Sequence, residues 1–368
     1  MKILEVAFTL QSGGAERFVV DLSNELVKNG HDVTLLTTRD IEKNPDSAFF
    51  TDILDKKITL QQLKVDYPGP LAWYKVSRIL KSVKPDVVHM HLNTLPYFFP
   101  HALKAGKTTY FHTIHSIAET SIGYPGQKPL NHFYYRSGRI IPVTISDFCN
   151  RSYQKVYQLP PADCIYNGRK EEDPSEHFAD TAAEIEKLKL HPDDKVFVMA
   201  ATICRNKNQK LPVETFARLH EEGCHAILLL LGKCADAGYL DSVMTNAAPN
   251  TFYLGEKDNV PDYLSCADAF VLSSHYEGNP ISILEAFACG IPAICTAVGG
   301  IVDTVIEGET GYLAEKVESE SFYNAVVRYL NDPDKISPES LKSIFHNKYT
   351  MKICAAKYLE LFAKQLKK

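Results

Sequence analysis

The sequence has few of the features that mark a disulfide-stabilised, membrane-spanning or nucleic-acid-binding protein. Its nine cysteines are scattered and never form a C-x-x-C pair, which argues against a zinc knuckle or a disulfide framework and favours a reducing compartment. No apolar run approaches the roughly 18 residues of a membrane span. A net charge of −5 excludes the broad basic surface of a dedicated nucleic-acid binder. We expect a cytoplasmic protein without a cleaved leader and without a nucleic-acid partner.

What the sequence does contain is enough apolar material for more than one core. It has 368 residues, of which 45% are hydrophobic and 23% are charged. This length exceeds the size at which one hydrophobic core usually keeps growing, so two domains of about 150–200 residues are expected. Short apolar runs alternate with amphipathic stretches of helical length, which is typical of buried parallel strands covered by helices. The predicted fold class is therefore α/β.

Two series of strand and helix units follow one another. The strands of the first are predicted at 2–9, 31–37, 87–91, 109–112 and 140–145, and those of the second at 196–201, 226–231, 250–254, 269–272 and 291–296. The stretch 168–194 between them is polar, acidic and contains two prolines, which favours a domain boundary. The predicted domains are 1–167 and 168–345, with 346–368 forming a C-terminal helix that crosses back to the first domain.

One loop of the second series is the best candidate for a ligand site. In open parallel sheets, ligands bind outside the carboxyl ends of the strands, where helix N-termini converge. The segment 275–280, H-Y-E-G-N-P, follows a predicted strand and opens a helix that ends near Gly290. Asn279 is the expected N-cap and Pro280 fits the first turn. The free N–H groups of residues 279–282 would then bind a phosphate or diphosphate.

Two glutamates flank this predicted anion site. Glu285 has apolar neighbours on both sides, which is a costly place for a carboxylate unless it meets donors such as the hydroxyls of a ribose. Glu277, on the turn before the helix, would face a hydroxylated ring beyond the diphosphate. The alternatives are an ion pair or a solvent-facing position for Glu285, and a solvated loop charge for Glu277. A glycosidase acid and base pair fits poorly, because one carboxylate belongs to the helix beside the anion site.

Two further segments of the second series support the same site. Val298-Gly299-Gly300 precedes a predicted helix at 301–306, whose N-terminus would border the same crevice. Arg205, Lys207 and Lys210 follow the predicted strand 196–201, and Lys207 is placed to pair with phosphate charge. The alternative is a solvated cluster at the start of a helix.

The first series carries weaker signals. The turn at 11–16, Q-S-G-G-A-E, lacks the G-x-G-x-x-G spacing of dinucleotide sites. Four histidines lie at or just beyond predicted strand ends: His89, His91, His112 and His115. No carboxylate or cysteine lies at ligand spacing beside them, so structural or substrate-contact roles are favoured over a metal. The string Asp332-Pro333-Asp334 is interpreted as a cap and not as a metal-nucleotide site.

Residues 277–292, E-G-N-P-I-S-I-L-E-A-F-A-C-G-I-P, followed by V-G-G at 298–300, resemble the E-x7-E signature of retaining glycosyltransferase family 4. Segments in family order over residues 1–330 support the resemblance: G-G-A-E-R at 13–17, D-V-V-H-M-H at 86–91, His115, I-S-D at 145–147, N-G at 167–168 and L-G at 254–255 through A-D at 267–268. The resemblance implies the GT-B architecture, in which two Rossmann-like domains with parallel sheets face each other across a central cleft.

The resemblance also implies an activity. A nucleotide-diphosphate sugar, UDP-linked in our prediction, would bind the C-terminal domain, and a saccharide or glycolipid acceptor would bind mostly to the N-terminal one. Transfer would retain the anomeric configuration and would need no metal, no cofactor beyond this co-substrate and no protein nucleophile. The expected setting is surface-polysaccharide biosynthesis.

Site residues are carried over from the family by position. Glu285 would hold the donor ribose, Lys207 would neutralise the leaving diphosphate, and His115 would lie near the reacting centre. The residues assigned catalytic roles are His115, Lys207 and Glu277. The donor site comprises Gly14, Arg205, Lys207, Val260, Glu277, Gly278, Asn279, Pro280, Ile281 and Glu285, and the acceptor side comprises Gly13, Glu16, His91 and Asn93.

The sequence departs from the family at two places. Thr202 stands where the family usually has an arginine five residues before the lysine, and E-G-N-P replaces the common E-G-F-G. Arg205 is a candidate to reach the same phosphates from another backbone position. The competing hypotheses are a nucleotide-sugar epimerase or hydrolase on the same scaffold, and a catalytically silent sugar-nucleotide-binding subunit.

A basic amphipathic segment at 71–84 suggests a further partner. Lys75, Arg78, Lys81 and Lys84 recur every third residue beside apolar side chains, a pattern compatible with peripheral contact with anionic lipid at the inner face of a membrane. The alternative is a solvated surface helix.

Overall fold

The computed structural model describes residues 1–43, 45–104, 106–123 and 125–367, of which Pro45 is described by its backbone only. The chain divides into two compact units: Met1–Lys170 with Tyr349–Lys368, called unit 1, and Glu171–Lys348, called unit 2. The boundaries predicted from the sequence follow residues 167 and 345, whereas the chain passes between the units after residues 170 and 348.

Unit 1 is built on a parallel sheet of seven strands. The strands are β1 (Lys2–Ala7), β2 (Asp32–Thr37), β3 (Thr59–Gln62), β4 (Val87–His91), β5 (Thr109–Ile114), β6 (Ile141–Thr144) and β7 (Asp163–Cys164), in the order β3-β2-β1-β4-β5-β6-β7. The α-helices among them are α1 (Gly14–Lys28), α2 (Pro70–Val83), α3 (Phe99–Ala102), α4 (Gln127–Arg136) and α5 (Asp147–Tyr157), with 3-10 turns at Pro45–Ala48, Thr51–Ile53 and Leu92–Tyr97.

Unit 2 repeats this plan with six parallel strands. They are β8 (Lys195–Ala200), β9 (Ala226–Leu231), β10 (Thr251–Gly255), β11 (Ala269–Leu272), β12 (Ala293–Thr296) and β13 (Gly311–Ala314), in the order β10-β9-β8-β11-β12-β13. The helices are α6 (Phe178–Leu188), α7 (Lys210–Glu221), α8 (Ala237–Met244), α9 (Val260–Ser265), α10 (Ile281–Cys289), α11 (Ser319–Asn331) and α12 (Pro338–Ile344), with a 3-10 turn at Gly299–Asp303 and a π-helical turn at Phe345–Tyr349.

The strands form where the sequence is continuously apolar because the sheets are covered on both faces. All six residues of β9 are buried, as are five of the six in β1. The predicted α/β class with two Rossmann-like sheets is confirmed. The strand order reverses between β1 and β4 in unit 1 and between β8 and β11 in unit 2. Loops that leave these four strands lie at topological switch points, where such sheets bind ligands.

Three strands, β3, β7 and β13, were not predicted from the sequence. β3 carries T-L-Q-Q and has no fully buried residue, β7 has two residues, and β13 starts at a glycine. Each lies at one edge of its sheet. β3 and β7 have no fully buried residue and so no continuous apolar run, whereas β13 is buried but has only four residues.

The last helix, α13 (Met351–Leu366), packs against α1 within unit 1. The chain enters it beside residue 169: the N–H of Arg169 donates to the Tyr349 carbonyl at 2.8 Å, and the N–H of Met351 donates to the Arg169 carbonyl at 3.0 Å. A Cβ at Gly168 would lie 2.6 Å from the Cβ of Cys354, so this close approach requires glycine. Among the described residues, no helix combines the length and apolar character needed to cross a bilayer.

Candidate active site

In unit 2, the predicted anion-binding loop leaves β11 at the switch point and enters α10. Pro280, with φ −68° and ψ 124°, is the N-cap, and α10 starts at Ile281 without a side-chain cap. The prediction that Asn279 caps the helix is wrong. Its buried side chain donates from Nδ2 to Thr304 Oγ1 at 2.9 Å, because the extended backbone of Pro280 delays the helix by one residue.

The loop brings two predicted catalytic side chains into contact. Lys207 Nζ lies 2.5 Å from Glu277 Oε1, and Ser274 Oγ donates to the same oxygen at 2.6 Å. The two side chains are 24% and 11% exposed, so this ion pair is shielded from solvent far more than a surface pair. A cation and a carboxylate of this kind, at the end of a strand and before a helix N-terminus, can receive a phosphate and a hydroxylated ring.

Hydrogen bonds between loops hold the pair in place. The loop after β8 carries Lys207, and Ser273 Oγ donates to the carbonyls of Lys207 and Asn208 at 3.0 and 2.9 Å. The N–H of His275 donates to the Asn206 carbonyl at 2.8 Å. Since β8 and β11 are neighbours in the sheet, their two loops act as one rigid support for the ion pair.

A glycine turn packs on the backbone of Glu277. Gly299 has φ +56°, and a Cβ there would lie 1.9 Å from the Glu277 carbonyl oxygen; the N–H of Gly300 donates to the same oxygen at 3.1 Å. The helix predicted at 301–306 is wrong, because a 3-10 turn covers Gly299–Asp303 instead. The chain then turns back, with the N–H of Ile306 donating to Thr310 Oγ1 at 2.8 Å.

Glu285 occupies a different environment from the one that its apolar neighbours suggest. Ile283, Leu284 and Phe287 are buried, whereas Glu285 is only half-buried and shares its helix face with Ser282. The expectation that the Glu285 carboxylate is surrounded by apolar side chains, at a cost in free energy, is therefore wrong. Consecutive residues of a helix point to different faces. Its assignment to a ribose stays a prediction.

Of the remaining predicted donor residues, Gly14 lies in unit 1 and the others lie in unit 2. Gly278 is buried with Asn279 and Pro280, and Val260 starts α9. Arg205 contacts residues other than Lys207 and Glu277. Its side chain is 80% exposed and lies 3.7 Å from Asp236 Oδ2, with its guanidinium over the ring of Tyr239.

In unit 1, the pairing of two neighbouring strands, β1 and β4, brings a carboxylate into the histidine cluster. Glu5 on β1 pairs in register with His89 on β4. Glu5 Oε2 lies 2.7 Å from His91 Nε2 and 3.0 Å from His89 Nδ1, and all three side chains are fully buried. Their ligand atoms lie within 4.8 Å of one another. The statement that no carboxylate accompanies these histidines is therefore wrong, since Glu5 comes from another strand more than 80 residues away.

The cluster extends to both sides of this centre. His115 Nε2 lies 2.8 Å from His91 Nδ1, and the partly buried His115 ring meets Phe18 edge to face at 5.2 Å. On the other side, His89 Nε2 lies 2.7 Å from Thr113 Oγ1, which in turn lies 2.9 Å from the Tyr358 hydroxyl of α13. His112 takes no part, because it contacts the Tyr135 hydroxyl and the Leu92 carbonyl.

Burial keeps His91 and His115 neutral. Desolvation and the neighbouring His89 lower the pKa of His91 to about 4, although Glu5 opposes the shift. Desolvation and the adjacent imidazoles lower the pKa of His115 well below its usual value. Burial would raise the pKa of Glu5, but attraction to His89 and hydrogen bonds from both histidines lower it to about 2. The centre is thus a carboxylate that accepts hydrogen bonds from two imidazoles.

The predicted acceptor-side residues lie at the start of α1 and after β4. Gly13 is the N-cap of α1 and Gly14 its first residue. Burial raises the pKa of Glu16, whose carboxylate lies against Gly13: a Cβ there would be 2.5 Å from Oε2. Asn93 Oδ1 accepts from Gln127 Nε2 at 3.0 Å. His91 and His115 are brought into contact with each other, and Phe18 of α1 packs on both rings.

Sequence reasoning missed Glu5, Ser274, Thr113 and Tyr358. Glu5 had a detectable signal, because it is the one charged residue inside the apolar run I-L-E-V-A. The other three are polar side chains whose partners come from distant segments, and no local pattern marks them.

Comparisons with known proteins agree with this architecture. Residues 12–172 match the family model Glycosyltransferase Family 4, and residues 180–347 match Glycosyl transferases group 1. The chain is 23% identical over 337 residues to N-acetyl-alpha-D-glucosaminyl L-malate synthase of Bacillus anthracis, covering 88% of this chain and 86% of that protein.

Two further similarities extend over most of the chain. It is 25% identical over 313 residues to the UDP-Gal:alpha-D-GlcNAc-diphosphoundecaprenol alpha-1,3-galactosyltransferase of Escherichia coli, covering 77% and 75% of the two chains. The structure of HepE from Anabaena in complex with UDP and glucose superposes with a TM-score of 0.80 at 15% identity, covering 99% of this chain and 100% of that one. With one family model on each half, the chain belongs to the family 4 glycosyltransferases of GT-B fold.

Proposed function

We propose that this glycosyltransferase moves a sugar from a UDP-linked donor to a hydroxyl of a saccharide or lipid-linked saccharide, with retention of configuration and without a metal or other cofactor. The observation that carries the proposal is the shielded Lys207–Glu277 ion pair at the entrance to α10. Its two members are the cation that a departing diphosphate needs and the carboxylate that can hold sugar hydroxyls.

In this proposal, unit 2 binds the donor. Lys207 exchanges part of its interaction with Glu277 for the diphosphate, whose charge the first N–H groups and the dipole of α10 also stabilise. Glu277 accepts hydrogen bonds from hydroxyls of the sugar ring, and Glu285 from those of the ribose. Since loops and Gly299 fix these groups in advance, they stabilise the charge that develops on the leaving group without reorganising.

The acceptor hydroxyl attacks on the face from which the diphosphate departs, so no side chain becomes covalently glycosylated. Unit 1 supplies the acceptor site, with Gly13, Glu16, His91 and Asn93 as its residues and His115 near the reacting atoms. A covalent glycosyl-enzyme trapped on any side chain would overturn this route.

The names of the relatives support the choice of substrates. The galactosyltransferase is named for UDP-Gal and a diphosphoundecaprenol-linked acceptor, and HepE was solved with UDP. The N-acetyl-alpha-D-glucosaminyl L-malate synthase is named for a product that contains L-malate. We therefore place the chain in surface-polysaccharide or glycolipid assembly, with L-malate as the contrasting acceptor to be tested.

Helix α2 supplies the proposed contact with the membrane on which a lipid-linked acceptor would lie. Leu71 and Tyr74 are 60% and 62% exposed, and Tyr67 before the helix is 80% exposed. Arg78, Lys81 and Lys84 are exposed further along, whereas Lys75 donates to the Leu63 carbonyl. Exposed apolar side chains followed by free basic ones are the composition of an interfacial helix.

The test is a panel of UDP-, GDP- and ADP-sugars, first by thermal shift, since a bound donor raises the apparent stability. Each donor that binds is then incubated with GlcNAc-diphosphoundecaprenol or with L-malate, in the presence of EDTA. The proposal expects transfer only when an acceptor is present. Release of free sugar without an acceptor would indicate a hydrolase, isomerised donor an epimerase, and binding without turnover a silent subunit in which Thr202 replaces a needed cation.

A further inference from the structure

A chain of hydrogen bonds runs through the interior of unit 1 from His115 to Glu5. His115 Nε2 lies 2.8 Å from His91 Nδ1, and His91 Nε2 lies 2.7 Å from Glu5 Oε2. His91 thus uses Nε2 toward Glu5 and Nδ1 toward His115. The two bonds determine where the protons are.

The direction follows from the carboxylate. An ionised carboxylate only accepts hydrogen bonds, so the proton in the contact with Glu5 belongs to His91 Nε2. In a neutral imidazole the other nitrogen is then an acceptor, so His91 Nδ1 accepts and His115 Nε2 donates. His115 is therefore protonated on Nε2, and its Nδ1 carries a lone pair.

This outcome does not depend on His89. Whether or not the His89 ring is protonated, its Nδ1–H donates to Glu5, 3.0 Å from Oε2, and the carboxylate remains an acceptor toward His91. The bonds from His89 to Thr113 and from Thr113 to Tyr358 lie on the far side of Glu5 from His115.

We propose that Glu5 is a positioning residue that acts through His91 to fix the tautomer of His115, so that His115 Nδ1 accepts a hydrogen bond from a hydroxyl of the bound sugar substrate. The role at the sugar rests on the proposed function, whereas the tautomer rests on unit 1 alone. Among the described residues, His115 Nδ1 has no hydrogen-bond partner in the protein. A carboxylate that sets a histidine tautomer is known chemistry, and here a second histidine transmits it.

The first experiment is a long-range 1H–15N spectrum of the full-length protein labelled in histidine, without substrate, at neutral pH. The signals of His91 and His115 are assigned with His91→Asn and His115→Asn. The proposal expects both rings to be neutral and protonated on Nε2. A His115 ring protonated on Nδ1, or doubly protonated, would overturn it.

The same spectrum distinguishes a metal at this centre. A metal held by Glu5, His89 and His91 would occupy His91 Nε2 and move the proton to Nδ1, which would reverse His115. Metal analysis of the purified protein and the spectrum before and after EDTA therefore give opposite results for the two cases. A stoichiometric metal together with a reversed tautomer contradicts the proposal.

Glu5→Gln tests the consequence for catalysis. The amide presents one acceptor and one donor in place of two acceptors, so the order of protons along the chain is no longer fixed. We expect kcat to fall about 10- to 100-fold, the usual cost of removing a partner that orients a functional histidine, with the donor KM little changed. The matched control is Tyr358→Phe, which removes the last hydroxyl on the far side and should leave the His115 spectrum and kcat unchanged.

An unchanged His115 spectrum and kcat in Glu5→Gln would contradict the proposal. If that variant does not fold, the wild-type spectrum still decides the tautomer. Addition of the donor or acceptor that supports turnover should shift the His115 Nδ1 signal. The predicted tautomer without such a shift would refute the contact with the sugar, while leaving transferase activity, measured separately, as the test of the proposed function.

Discussion

Unit 1 holds its histidines inside a sheet, whereas unit 2 holds Lys207 and Glu277 on loops at the end of one. The Glu5 centre, formed by Glu5, His89 and His91, is fully buried and joins β1 and β4 through their register. The Lys207–Glu277 pair is partly exposed and is fixed by two loops and a glycine turn. A site on loops can exchange its internal ion pair for a ligand. A site inside a sheet can fix proton positions but cannot rearrange.

The largest expected effect comes from removing Lys207 from its ion pair with Glu277. Lys207→Ala should lower kcat/KM about 100- to 1,000-fold, the range for losing one preorganised group that stabilises a leaving anion. Steady-state kinetics with the best donor and acceptor measure it. The matched control is Lys195→Ala, because Lys195 forms a 2.9 Å ion pair with Asp268 at the opposite ends of the same two strands. A similar loss in both variants would mean that Lys207 acts only on stability.

The second effect tests the glycine turn that supports Glu277. Gly299→Ala would place a Cβ 1.9 Å from the Glu277 carbonyl at a positive φ, so we expect a loss of about 2–4 kcal/mol in stability and a clear loss of donor binding. Denaturant unfolding and donor thermal shifts measure the two. In the control Gly30→Ala, φ is also positive but nothing lies within 4 Å of the new Cβ, so about 1 kcal/mol is expected without loss of donor binding. Equal effects of the two substitutions would show that the close approach is unimportant.

The third effect is a difference in acid stability between the units. The pKa of His91 and that of His112 are each lowered by burial to about 4 in the folded chain. The pKa of a histidine in the unfolded chain is near 6.5. Between pH 6.5 and pH 4 the unfolded chain therefore binds more protons than the folded chain, so the free energy of unfolding falls as the pH falls. The pKa of Glu5 is lowered to about 2 in the folded chain, so further stability is lost as the pH falls below about 4.5 and the unfolded chain takes up a proton at this residue.

We expect unit 1 to lose on the order of 1–2 kcal/mol per buried histidine between pH 7 and pH 5. Hydrogen exchange with mass spectrometry at the two pH values checks this, after correction for intrinsic exchange rates. Peptides from β4 and β5 should lose protection while those from β8 and β9 keep it. Loss of protection first in unit 2 would contradict the assignment.

The smallest effect concerns helix α2 of unit 1. Arg78→Gln with Lys81→Gln should weaken binding to anionic vesicles by about 1 kcal/mol per charge at low salt. Co-sedimentation with phosphatidylglycerol vesicles measures it, and Lys56→Gln with Lys57→Gln removes two exposed charges elsewhere as the control. Wild-type protein that stays in the supernatant at low salt would exclude this contact.

The same contrast explains what could be predicted from the sequence. The α/β class and the ten strands predicted in the two series follow from apolar runs that buried parallel strands require, as β9 illustrates. Lys207 and Glu277 lie on loops that carry recognisable local patterns, and the structure brings them into contact, while their catalytic roles stay a prediction. The predicted N-cap at Asn279 is wrong because Pro280 has an extended backbone and α10 starts one residue later. The predicted helix at 301–306 is wrong because the chain turns back at Ile306, whose N–H donates to Thr310 Oγ1.

The Glu5 centre could not be predicted for a different reason. Glu5 lies more than 80 residues from His89 and His91 in the chain, and only the register of β1 with β4 makes them neighbours. A charged residue in a buried strand signals that a partner exists, but not which residue it is. The order of the strands in the sheet decides that, and local sequence patterns do not reveal this order.

The configuration of the product tests the central claim most directly. The enzyme is incubated with alpha-configured UDP-sugars and with GlcNAc-diphosphoundecaprenol or L-malate in EDTA, and the new anomeric bond is determined by NMR. The account predicts an alpha-linked product that forms only with acceptor present and is lost in Lys207→Ala. A beta-linked product, or donor consumption that does not depend on the acceptor, would contradict it.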